Sequence, residues 1–208
     1  MYVTVAKTRL AGPAEQAVQR VREQIPPLLQ GRPGLLGYCL FLGEPEDAAC
    51  SVGIFEDRAA ALDAQRRLRA WTEEAMRDLL PGEPETAAGE TVFHDVARPQ
   101  EQQGDSQRPL FVVLRSYTGL PGQTETMHSL VSERTLPAIM GAQGFRGFYA
   151  FRDEHDPDQA VSVTLFDNRA EAMRAHAAVL DIMRETLGDL AYAAPRVVAG
   201  ETAVLVTG

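Results

Sequence analysis

The chain has 208 residues, 45% of them hydrophobic, and a formal net charge of −9, enough for one or two compact domains that each own a core. The acidic balance, with no stripe of Lys or Arg able to neutralise a run of phosphates, argues against a nucleic-acid partner. No apolar run reaches the length of a membrane span, and the opening MYVTVAKTRL enters a strand pattern with no signal-peptide layout, so a cytoplasmic protein without a membrane partner is expected.

Taken in chain order, residues 2–6 read as a strand and residues 14–30 show helical spacing, with Val18, Val21, Ile25 and Leu28 on one side. Pro26 and Pro27 should kink or shorten that helix near its end. Residues 34–43 and 50–55 follow as strands across a polar turn. They hold the two cysteines, Cys39 and Cys50, in a register that does not set them opposite each other, so no disulfide is expected. Asp57 is the N-cap candidate for a helix running to about residue 79, and residues 90–96 form a closing strand. A polar, Gln-rich tether, ARPQEQQGDSQRP, comes next. The order then recurs: a strand at 110–117, a helix at 123–140 with Pro137 near its end, strands at 144–152 and 161–166, a helix from the N-cap Asn168 to about 187, and a strand at 201–206.

The recurrence is written in the residues as well. PLLQGRPGLLGYCLF (27–41) aligns with PAIMGAQGFRGFYAF (137–151) at an offset of 110, and SVGIFEDRAAAL (51–62) aligns with SVTLFDNRAEAM (162–173) at an offset of 111. AGET occurs at 88–91 and again at 199–202. Three anchors in order, separated by one insertion in a turn, mark an internal duplication. The fold class is therefore α+β: two tandem ferredoxin-like βαββαβ units, residues 1–97 and 110–208, joined by a linker at 98–109. The strands are apolar on both faces, as in Leu110 to Leu114 and in Leu35 with Tyr38 to Leu42. One face can pack on the unit's own helices; the other needs a second antiparallel sheet, which the other repeat can supply.

With the βαββαβ order, the glycine-rich entry to strand two (GRPGLLGYCLF, GAQGFRGFYAF) and strand three ending in IFEDRAAAL or LFDNRAEAM, the chain resembles the dimeric α/β barrel superfamily, and within it proteins of the antibiotic biosynthesis monooxygenase type. The resemblance implies sheets packed face to face as a pseudo-twofold barrel, an intramolecular pseudo-dimer with further self-association left open. It also implies a pocket between sheet and helices for a small hydrophobic or aromatic molecule. Relatives of this type include cofactor-free oxygenases, haem-degrading enzymes and proteins with no known reaction, so fold alone does not choose a chemistry.

Comparison of the repeats sets Lys7 against Tyr117, Val18 against His128, Cys39 against Tyr149 and Gln65 against His176, so the second repeat holds the more titratable set. His128 and His176 are the candidate catalytic bases, their alternative being histidines satisfied within a core. Tyr117, Tyr149, Arg146 and Arg115 are the candidates for binding and orienting a substrate oxygen. Trp71 reads as core. No ligand-spaced His or Cys cluster suggests a metal, the Asn, Trp and His of the haem-degrading relatives do not assemble, and no cofactor is expected. Two readings follow: a cofactor-independent monooxygenase of an aromatic or phenolic substrate, or a non-catalytic, stress-associated binding barrel.

Overall fold

The computed structural model describes residues 1–44, 48–96, 108–118, 131–187 and 195–208. The first repeat contains β1 (Tyr2–Arg9), α1 (Ala14–Leu29), β2 (Leu35–Gly43), β3 (Ala48–Phe55), α2 (Arg58–Ala75) and β4 (Glu85–Val96). Asp57 caps α2 as its position predicts, its carboxylate accepting the Ala60 N–H at 2.9 Å, an interaction worth about 1 kcal/mol. The helix stops at Ala75 rather than near residue 79. Met76 and Leu79 turn back into the core, and the Leu79 carbonyl accepts the Ala11 N–H at 2.9 Å instead of continuing the helix. Pro26 and Pro27 fall in the last turn of α1, where Ile25 and Leu29 beside them are fully buried.

β1 lies between β3 and β4, and β2 pairs with the far side of β3, all antiparallel. Pairing of β1 with β4 begins at Lys7 and Glu85, which is why β4 starts five residues before the predicted 90. Tyr2, Tyr38, Leu40 and Phe55 pack with Val21, Ile25, Ala61 and Ala64 on the helix side of the sheet. On the other side Val3, Phe41, Cys50 and Val52 are at most 1% exposed, so the apolar character of both strand faces has its structural cause.

The second repeat runs β5 (Phe111–Thr118), a π turn (Val131–Thr135) continuing into α3 (Leu136–Met140), β6 (Phe145–Arg152), β7 (Gln159–Phe166), α4 (Arg169–Leu187) and β8 (Arg196–Thr207). Asn168 caps α4 reciprocally: its Oδ1 accepts the Glu171 N–H at 3.1 Å and its Nδ2 donates to the Glu171 carboxylate at 3.0 Å. Phe111, Val113, Phe148 and Phe166 pack with Ile139, Ala172, Ala175 and Val179 under the helices. On the opposite face Val112, Val163 and Phe151 are likewise at most 1% exposed.

The two repeats trade the ends of their last strands. One compact unit comprises Met1–Thr91 with Thr202–Gly208, and the other Val92–Glu201. In the first unit the end of β8 pairs with β2, from Gly37 opposite Thr207 to Leu40 opposite Val204. Val204 and Val206 join that unit's core. In the second, β8 from Arg196 to Glu201 pairs with β5, and Phe93 from the end of β4 packs against the core. Strand pairing thus runs β1-β3-β2-β8-β5-β7-β6-β4 and closes into an eight-stranded antiparallel barrel.

Candidate functional site

Strand alternation places Arg115 on the helix side of β5, two residues beyond the core residue Val113 and two before Tyr117. Arg115 is 1% exposed. Its Nε donates to Nδ1 of His176 on α4 at 3.1 Å, and its Nη1 donates to the Thr164 hydroxyl on β7 at 2.7 Å. Nη2 is buried with no hydrogen-bond partner among the described residues. Both partners are uncharged. Arginine keeps its proton even where burial lowers its pKa, as it does here. The site therefore holds a desolvated cation, an arrangement that costs several kcal/mol unless a negative charge compensates.

The hydrogen bond also fixes the state of the imidazole. Nδ1 accepts from Arg115, so the proton of the neutral ring sits on Nε2. Burial, and then the charge of Arg115, lowers the His176 pKa to about 4, which keeps the half-buried ring neutral at pH 7. His176 in this state offers a donor through Nε2. Tyr117 is hydrogen-bonded to Ser162, and burial raises its pKa so that it stays a phenol.

The equivalent place in the first unit is built differently. Tyr2 opposes Phe55 as Phe111 opposes Phe166, so β1 and β5 align at an offset of 109 rather than 110. That alignment corrects the pairing of Lys7 with Tyr117: Tyr117 corresponds to Thr8, Arg115 to Ala6 and Thr164 to Gly53, whereas His176 still corresponds to Gln65. A Cβ on Gly53 would sit 2.6 Å from the Phe55 ring and 2.8 Å from the Thr4 hydroxyl, so no threonine fits there. In that unit the hydroxyl of buried Tyr38 bonds Ser51. The arginine and its threonine anchor occur together in one unit and are both missing from the other.

Comparison with known proteins bears on this asymmetry. Residues 110–179 match the sequence model of the family described as antibiotic biosynthesis monooxygenase. No curated protein matches the chain. Among solved structures, a provisionally assigned monooxygenase from Fusobacterium nucleatum superposes with a TM-score of 0.79 at 12% identity, covering 99% of this chain and 94% of the other. A second such protein, from Lactobacillus acidophilus, gives 0.75 at 10% identity, with 99% and 95% covered. An anthrone oxidase-like protein gives 0.62 at 11% identity, with 99% and 92% covered. Identities this low establish the shared fold and nothing about chemistry.

Within the second unit, Arg115, His176 and Tyr117 of the predicted site residues lie on the helix side of the sheet. Tyr149 does not join them. It stands opposite Val163, on the other face of the sheet, because side chains alternate along β6. Arg146 is held at the end of β6 by a two-pronged pair with Asp167, at 2.6 and 2.8 Å, so it has its own counter-charge. His128 falls outside the described residues. Thr164 and Ser162 were missed as members of the cluster, although the change from GIF (53–55) to TLF (164–166) between the repeats was a readable sign. Trp71 packs against the first unit's core while its Nε1 donates to Gln24 at 2.6 Å. No three His, Cys, Asp or Glu side chains cluster as metal ligands among the described residues. Cys39 and Cys50 are buried thiols outside any disulfide, and burial pushes the Cys39 thiol up to about 12. No described helix is long and apolar enough to cross a membrane.

Proposed function

We propose that the monooxygenase-type domain binds a small aromatic or phenolic molecule at Arg115 and exposes its anion to molecular oxygen, while the first unit completes the fold. The observation that carries this reading is the buried, singly orphaned guanidinium, fixed by Thr164 and a neutral His176 and replaced by Ala6 in the first unit. A cation in a poorly solvated site stabilises a phenolate or enolate and so lowers the substrate's own pKa, which reduces the need for a strong protein base. His176 then acts as a positioned donor through Nε2, and Tyr117 as a second one. The electron-rich anion transfers electrons to oxygen directly. One oxygen atom enters the product as a carbonyl; the other leaves as water with the two hydrogens lost at the oxidised carbon. Substrate and O2 balance the reaction without a further reductant. The monooxygenase-type match and the anthrone oxidase-like fold relative support this choice among the chemistries such a barrel can host.

The test is oxygen uptake by the metal-free protein with a panel of phenols, quinols and anthrones, repeated with Arg115→Ala, which installs the first unit's residue. Uptake by the wild type and its loss in the variant, with one atom of labelled oxygen recovered in product, is the expected outcome. Binding without uptake would leave a non-catalytic barrel. Uptake only after addition of flavin, haem or a metal would overturn the cofactor-free mechanism.

A further inference from the structure

The arginines of this chain are treated unequally. Arg146 is bonded to Asp167 and Arg20 to Asp78, both in reach of water, where a counter-charge matters least. Arg115, the most deeply buried of the described arginines, has a hydroxyl and an imidazole nitrogen as partners and an Nη2 with no partner among the described residues. Its neighbours Tyr117 and Ser162 bond each other and add no negative charge. Among the described residues this buried cation has one open donor and only neutral partners, which makes it half of an ion pair. The same sheet face carries Phe111, Val113 and Phe148, packed against Ile139, Ala172 and Val179, so the guanidinium sits in apolar surroundings that suit a hydrophobic acid better than an inorganic ion.

We infer that Arg115 is the counter-charge subsite for a ligand that arrives already ionised, an aromatic or similarly hydrophobic carboxylate whose oxygen takes the open Nη2 donor. This rests on the reading that the second unit binds a small molecule, and it adds hydrophobic acids to phenols as a class of ligand for the same guanidinium. A carboxylate meeting a preformed, desolvated guanidinium gains a charge-assisted hydrogen bond that a neutral isostere of equal shape does not. Arg115 itself is expected to lose its orphan donor on binding.

The experiment compares calorimetric binding of 1-naphthoate with that of 1-naphthalenemethanol, its neutral counterpart, in the wild type, Arg115→Met and Arg115→Lys, at low chloride. The expected result is at least tenfold tighter binding of the acid by the wild type, partial retention of that preference in Arg115→Lys and its loss in Arg115→Met. The arginine side-chain ¹⁵N signal of Arg115 should move with naphthoate. Equal binding of acid and alcohol by the wild type overturns the inference and leaves the small-molecule reading standing. No binding of either overturns both. Displacement by millimolar chloride or phosphate, with no preference for the aromatic acid, would mean an adventitious anion only and also overturns it.

Discussion

Arg115→Met removes a buried cation, and the sign of its effect on stability separates a functional charge from a structural one. Two hydrogen bonds to a charged donor, at 3.1 and 2.7 Å, disappear; each contributes about 1.5–3 kcal/mol. Against this, the variant recovers the several kcal/mol of desolvation that no carboxylate among the described residues offsets. The terms nearly cancel, so the variant should unfold within about 1 kcal/mol of the wild type, or be stabilised by up to about 3 kcal/mol. For a chain of this size, about 1 kcal/mol is 2–4 °C in Tm. Thr164→Val should behave in the opposite way: it strands a second donor of the guanidinium and costs about 2 kcal/mol in the wild type, but little once Arg115 is Met. Urea or thermal unfolding of the four proteins yields the coupling, expected near 1.5–2 kcal/mol. A loss of 3–5 kcal/mol in Arg115→Met, the size for breaking a compensated buried pair, would refute the view that the ligand is the missing counter-charge.

His176 gives a pH dependence with a defined sign. Its folded pKa, about 4, lies below the ordinary 6.5. The unfolded chain therefore binds the proton first, and the contribution is complete above about pH 6.5 and lost as pH falls towards 4. The ring is half exposed, so the loss is on the order of 1–2 kcal/mol rather than the full value of the shift. Unfolding curves between pH 7 and 4.5 should show His176→Gln losing less stability than the wild type; parallel losses would contradict the assignment. Asn168→Ala removes both halves of the α4 cap and should cost about 1–2 kcal/mol, read from the urea midpoint. Val206→Ala should destabilise by on the order of 2 kcal/mol although Val206 lies at the far end of the chain, because it completes the first unit's core; an unchanged midpoint would contradict the strand exchange. Neither Cys39 nor Cys50 should react with a thiol reagent until the protein unfolds, since both are buried.

The duplication, the helix caps at Asp57 and Asn168 and the need to cover both strand faces were legible because each is written in neighbouring residues or in a repeat spacing. The strand exchange was not. A half-strand such as Thr202–Thr207 carries a suitable apolar pattern but no local mark of whether β5 or β2 will be its partner. The site was half legible. Arg115 and His176 stood out by residue type, but their contact spans 61 residues and depends on β5 facing Arg115 towards α4. Carrying the 110 offset of the 27–41 anchor back to the first strands set Tyr117 one residue out of register and hid the correspondence of Arg115 with Ala6. The extra residue lies between Tyr117 and Gly141, a stretch that includes the π turn Val131–Thr135, a turn able to absorb one residue within a helix. Arg146 looked equivalent to Arg115 in the sequence. Asp167, 21 residues away, decides that it is not.

The central claim is that one unit binds and the other completes the fold, and binding stoichiometry tests it most directly. Calorimetric titration with an aromatic ligand should give one site per chain, abolished by Arg115→Ala and unaffected by Gln65→Ala at the first unit's equivalent of His176. Two equivalent sites per chain, or a single site that survives Arg115→Ala and is lost in Gln65→Ala, would contradict it.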